Sequence, residues 1–166
     1  LETNPVATVR LREECTRHGV DPARLVFAPA IVHEQHLARL RLADLFLDTL
    51  PYNAHTSASD ALWAAVPVIT YAGGTFAGRV AASLLHAVGL PELVTDSCAA
   101  YEALASSLAH DPAALTALRA KLAQNRTTQP LFDTRRFCRY LEQAYGAMYG
   151  RHQRGEGPEH IAIEPL

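Results

Sequence analysis

Short apolar runs alternate with amphipathic stretches along the first hundred residues. Asn4-Pro5 pairs a capping residue with proline at a first helical position, and Val9, Leu11 and Cys15 carry that helix to Gly19. Leu25-Val26-Phe27 reads as a short strand ending at Pro29. Residues 33 to 42 read as a helix with Leu37, Leu40 and Ala43 on one side. Leu45-Phe46-Leu47 is a second strand, closed by Asp48 and Pro51. A helix follows from His55 to Trp63, then the β-rich run Val66–Tyr71, broken by Gly73-Gly74. Val80, Leu84 and Val88 recur at helical spacing and stop at Gly89-Leu90-Pro91, and Leu93-Val94 is a short fourth strand.

The last third is helical throughout. Tyr101, Leu104 and Leu108 form one stripe, and Asp111-Pro112 opens a helix through Leu115, Leu118 and Leu122. Phe137, Leu141, Ala144, Tyr145 and Met148 form a third stripe, and Gly155, Gly157 and Pro158 mark a loose tail. Strands alternating with helices predict an α/β fold built on a parallel sheet. Such sheets bind ligands at the C-terminal ends of their strands, against helix N-termini. The segments after Phe27, Leu47 and Tyr71 are therefore where chemistry is expected.

Composition narrows the class. The 166 residues are 49% hydrophobic and 19% charged, which suits a globular domain. Fifteen Lys and Arg against seventeen Asp and Glu give a net charge of −2, so no nucleic-acid footprint is expected. No apolar run has the length of a membrane span, and no membrane partner is expected. Cys15, Cys98 and Cys138 fit neither a disulfide framework nor a zinc cluster; a core or half-buried setting and a reducing, cytoplasmic compartment are expected. Lys121 is the only lysine, a bias of GC-rich bacterial genomes. The abrupt start at Leu1 suggests a piece of something longer.

Each edge segment offers two readings. His33, Glu34 and His36 lack the spacing of a zinc protease, and no metal is expected; His36 and Arg39 either present a ring and a planar cation to a nucleobase or form a solvated face. Thr56, Ser57 and Asp60 at a helix start either take a diphosphate and ribose hydroxyls or make a plain capping box from Ser57 and Asp60. Gly73-Gly74 either admits a ligand to the backbone or precedes a helix simply capped by Thr75; Arg79 would meet an anion or a carboxylate from a neighbouring part of the protein.

One resemblance bears on these choices. Phe27-Ala28-Pro29, His36-Leu37-Ala38-Arg39, Leu42-Ala43-Asp44, Leu47-Asp48-Thr49, Asn53-Ala54-His55-Thr56-Ser57, Asp60-Ala61-Leu62-Trp63-Ala64, Val66–Thr70 and Arg79–Ser83 resemble the nucleotide-sugar lobe of the O-linked N-acetylglucosamine transferases, with their bacterial and SPINDLY relatives. Pro130-Leu131-Phe132-Asp133 resembles the family's end segment, and the likeness is densest from residue 27 to 83. It implies a Rossmann-like lobe of a GT-B glycosyltransferase, incomplete at its N-terminus. The implied organisation is a partial donor-binding lobe over 1–132, a helix packing on the lobes over 133–152, and a loose tail over 153–166.

The resemblance also implies roles. His36 would stack on uracil, with Arg39 and the backbone near Ile31 on the base edge. His33 would lie near the ribose, where animal members carry a lysine. Asp60 would take ribose hydroxyls, and His55, Thr56 and Ser57 would lie under the diphosphate of UDP-N-acetylglucosamine. No catalytic residue is expected in this chain, and no metal or other cofactor. The implied reaction is inverting transfer to a Ser or Thr hydroxyl of a protein acceptor. An N-terminal lobe and helical repeats of the same protein would be the partners. A GDP-fucose donor, as in SPINDLY-type relatives, and a non-catalytic nucleotide-binding module are the competing readings.

Overall fold

The computed structural model describes residues 4–164. Residues 1–3 and 165–166, the outer ends of the expected lobe and tail, lie outside the described residues. The chain forms two compact units, one ending at His36 and the other beginning at Leu37.

The first unit is built on helix α1 (Pro5–Arg17), which begins where the sequence predicts: the Asn4 side chain accepts from the Val6 N–H at 3.0 Å. Gly19, at φ +71°, takes the left-handed turn that ends it. The Arg12 guanidinium donates to the Pro22 carbonyl at 2.9 Å and lies over the Phe27 ring. Residues 25–27 do not form the expected strand. The sheet runs β1-β2-β3 with no place for them, and Val26 is 88% exposed. An apolar run without a ladder partner has nothing to hold it extended. Helix α2 (His33–Leu40) then leads out of this unit.

The second unit holds the sheet. Strands β1 (Phe46–Leu47), β2 (Val68–Tyr71) and β3 (Val94–Thr95) are all parallel, with β2 central. Phe46 pairs with Val68, and Thr70 with Val94. The expected α/β alternation is thus present, with strands shorter than the apolar runs that announced them. Helix α3 (Thr56–Trp63) crosses from β1 to β2, and α4 (Val80–Ala87) from β2 toward β3. Three helices follow: α5 (Cys98–His110), α6 (Pro112–Thr128) and α7 (Thr134–Gln153).

The core gathers around β2. Val68, Ile69 and Thr70 are fully buried, together with Leu62 and Ala61 of α3, Leu85 of α4 and Leu122 of α6. Asn125 of α6 donates to the carbonyls of Val88 and Gly89 at 2.9 and 3.2 Å, closing the orphaned end of α4. Gly89 lies at φ +73°, and a Cβ there would come within 2.9 Å of that amide nitrogen. The far end of α3 is fixed by Arg126, which donates to the Trp63 carbonyl and lies 5.1 Å from the Trp63 ring centroid. Phe132 meets Trp63 edge to face at 5.1 Å.

Two expectations are corrected here. Cys98 and Cys138 are exposed and Cys15 is half-buried, so the first two do not belong to a core. The α7 stripe has the predicted spacing, yet Phe137, Tyr145 and Met148 are each more than half exposed. Periodicity reports a face, not what covers it. Beyond α7, Arg151 binds Glu159 and Glu156 at 2.6 and 3.3 Å and donates to the Gly157 carbonyl, folding the following segment back on the helix.

Ala65 ends α3 at φ +61°, where its N–H bonds to Leu62 and the Val66 N–H reaches back to Ala61. A Cβ in that left-handed region is strained, while glycine is not. Ala65→Gly is therefore expected to raise unfolding stability by about 0.5–1 kcal/mol, measured by chemical denaturation.

Candidate functional site

The C-terminal edge of the sheet is organised by one side chain. Asp48, directly after β1, is 4% exposed and collects three donors. Its Oδ1 accepts from the Thr49 and Ala54 N–H groups at 2.9 and 2.7 Å, and its Oδ2 from the Thr70 hydroxyl at 2.7 Å. The Thr70 hydroxyl in turn accepts from Asn53 Nδ2 at 2.9 Å, and Asn53 also donates to the Tyr71 carbonyl. Both ends of the turn 48–54 are thereby tied to the central strand. The turn includes a cis Leu50–Pro51 bond. Charge-assisted bonds of this kind stabilise by about 1.5–3 kcal/mol each when buried.

Tyr101 of α5 completes the arrangement from below the turn, its hydroxyl donating to the Asp48 carbonyl at 2.8 Å. Burial, and then the nearby Asp48 charge, push this phenol above its ordinary range.

The clamped turn delivers the chain into α3. His55 is the residue before the helix, and no side chain caps it. The capping box expected of Ser57 and Asp60 does not form, because the helix starts one residue too early: Thr56, not Ser57, is already helical. The first-turn N–H groups are left without a capping side chain, and their partial positive charge remains for an external anion. An open cavity of about 600 Å³ lies at this point. His55, Thr56 and Ser57 line it on the polar side, and Phe46, Leu47 and Tyr52 on the apolar side. The His55 Nε2 is buried and has no hydrogen-bond partner.

Of the residues singled out from the sequence, the structure brings His55, Thr56 and Ser57 together around this cavity. Asp60 stands one turn further along the same helix, half-buried. His33, His36 and Arg39 recur every three residues along α2, so they share one helical face. Ile31 is exposed in the segment before α2. Asp48, Asn53, Thr70 and Tyr52 are not among the site residues expected from the sequence. An acidic residue at the end of a strand, followed by a proline turn, was the available signal for the first.

In the loop after β2 the internal contacts match the plainer of the two readings. The Gly73 N–H donates to the Gly78 carbonyl at 2.8 Å, and a Cβ on Gly78 would come within 3.1 Å of Gly73. Thr75 accepts from the Gly78 N–H, and Arg79 donates to the Gly74 carbonyl at 2.7 Å. These glycines and this arginine close the loop on itself. Phe76, at its tip, is exposed.

A parallel α/β unit with an open cavity beside an uncapped helix N-terminus is the setting in which folds of this class take ligands. Comparison with known proteins specifies it. Residues 4–141 match the model of glycosyl transferase family 41, and the chain belongs to that family. It is 38% identical over 151 residues to the UDP-N-acetylglucosamine–peptide N-acetylglucosaminyltransferase of Caenorhabditis elegans, covering 91% of this chain. It is 39% identical over 156 residues to the probable enzyme of that name, SEC, of Arabidopsis thaliana, covering 93%. A solved variant of the O-GlcNAc transferase of Thermobaculum terrenum superposes with a TM-score of 0.81 at 36% identity, over 88% of this chain and 28% of that one. The chain spans 13% and 16% of the lengths of the two curated relatives. The expected fold class, a parallel α/β lobe of the GT-B type, is thereby established.

Tyr101 yields a pH test. A group held protonated by the fold stabilises it below the unfolded pKa, and that stability is lost as pH rises through the folded value. Unfolding stability should therefore fall as pH rises above about 10. In Tyr101→Phe that alkaline limb should be shallower, as followed by urea denaturation across pH 8 to 11.

Proposed function

We propose that this chain is the donor-binding part of a protein O-GlcNAc transferase. It would hold UDP-N-acetylglucosamine while the sugar passes, with inversion, to a Ser or Thr hydroxyl of a protein. The observation that carries this reading is the cavity at the start of α3, lined by His55, Thr56 and Ser57. Its uncapped N–H groups are what a diphosphate requires, and His55, which lines the same cavity, has a ring nitrogen without a partner. Membership of glycosyl transferase family 41 and the printed names of the relatives support the choice of donor.

As UDP leaves, negative charge accumulates on its diphosphate. Donors preset at the helix N-terminus stabilise that charge more in the transition state than in the ground state. Thr56 and Ser57 would add hydroxyl donors there, and no metal ion or other cofactor is assigned. Asp60 would accept from the ribose hydroxyls. His36 would stack on the uracil, with Arg39 and the backbone near Ile31 on its edge and His33 beside the ribose. No general base is assigned to this chain, and an N-terminal lobe with helical repeats of the same protein would bring the acceptor.

The SPINDLY relatives favour the same donor: that of Oryza sativa, 38% identical over 141 residues, is also named a probable UDP-N-acetylglucosamine–peptide N-acetylglucosaminyltransferase. Among the described residues no helix is long and apolar enough to cross a membrane. Three free cysteines are compatible with a reducing compartment, and we place the protein in a bacterial cytoplasm.

Titration calorimetry of the intact native protein with UDP and GDP tests the assignment. UDP should bind and GDP should bind more weakly. His55→Ala and Asp60→Ala should each weaken UDP by about tenfold, the loss of one charge-assisted hydrogen bond. Unchanged affinity in both variants would remove the site.

A further inference from the structure

Two rings, Tyr52 and His55, line the cavity, and a third, Phe76, stands against the imidazole. Tyr52 stacks on His55, with centroids 5.1 Å apart and planes at 19°. Phe76 meets the same imidazole edge to face, at 6.3 Å and 83°. Tyr52 is 69% exposed and Phe76 77% exposed. Neither ring fills the core, so the core gives no reason for them to be there.

Tyr52 is itself held. It lies in the turn whose two ends are bound to Asp48, and the next residue, Asn53, is anchored to Thr70 and Tyr71. The imidazole against it makes no capping bond to α3, and its Nε2 is buried without a partner. An imidazole with no hydrogen bond to fix it would sample several rotamers, and a ligand would have to select one. Ring stacking on an anchored tyrosine removes that freedom before the ligand arrives.

We propose that Tyr52 is a positioning residue: by stacking on His55 it presets the imidazole that meets the diphosphate of the nucleotide sugar. The proposal rests on the reading of this cavity as the donor site. Phe76 contributes a second ring contact to the same imidazole. Tyr52 acts through His55, and its phenol hydroxyl has no part in the effect.

A double-mutant cycle on UDP affinity, measured by calorimetry on the intact native protein, tests this. Tyr52→Ala should weaken UDP by about fivefold, the size of an aromatic pair. Tyr52→Phe, which keeps the ring, should stay within about twofold of the native affinity. In a His55→Ala background, Tyr52→Ala should change affinity by less than about twofold, because the ring it positions is gone. Equal weakening in both backgrounds would overturn the proposal and make Tyr52 a direct ligand contact. No weakening in the native background would overturn it as well. Loss of folding is not an expected confounder at so exposed a position, and matching thermal transitions for Tyr52→Ala and the native protein check that. Failure of the native protein itself to bind UDP would refute the donor reading, and with it the proposal; an additive cycle on a protein that does bind refutes the proposal alone.

Discussion

The carboxylate of Asp48 is the constraint on which the sheet edge depends. A buried acidic side chain is costly unless every acceptor position is used, and here three donors converge on it from two parts of the chain. Two of those donors are backbone groups at either end of one turn. The third is a hydroxyl on the central strand. The result is a loop that cannot shift relative to β2 without exposing or orphaning a buried charge. Asn53 repeats the link one residue before Ala54, so the turn is tied twice. Loops at the ends of strands are ordinarily the mobile parts of a fold; this one is built as an extension of the strand.

Rigidity at that turn sets what α3 can do. Its far end is locked by the Arg126 bond to the Trp63 carbonyl and by the Trp63–Phe132 contact. Its buried face, Ala58, Ala61 and Leu62, is seated in the core. With the body of the helix fixed, its uncapped first turn becomes a stationary array of donors. Preorganised dipoles of this kind need no rearrangement when charge develops beside them. The absence of a capping side chain is locally unfavourable to the helix, a departure from the usual Ser, Thr, Asp or Asn. Such local departures concentrate at functional sites and are offset by packing elsewhere.

Much of this was legible in the sequence, in proportion to how local the physics is. The starts of α1 and α6 were readable because Asn4 and Asp111, each followed by proline, cap them through their own side chains. The Val66–Tyr71 run found its strand because β-branched residues buried on both faces have few other fates. Leu25-Val26-Phe27 misled because a strand is defined by its neighbour, and no neighbour is written in its own residues. The α7 stripe misled in the same sense: spacing describes a face but not its burial. Thr56 and Ser57, which line the cavity, were legible as a helix start because helix starts announce themselves. Asp48 and Thr70 were not, since the bond that makes them matter joins residues 22 positions apart. The capping-box reading failed by a single residue, within the ordinary error of helix boundaries.

The most direct measurement is a crystal structure of the intact protein with UDP bound. The account predicts density for the diphosphate against the first turn of α3, within hydrogen-bond distance of the Thr56 and Ser57 N–H groups and of His55 Nε2, with the Asp48 turn unmoved. Diphosphate density anywhere else, or a first turn of α3 covered by a neighbouring segment with no room for the anion, would contradict it.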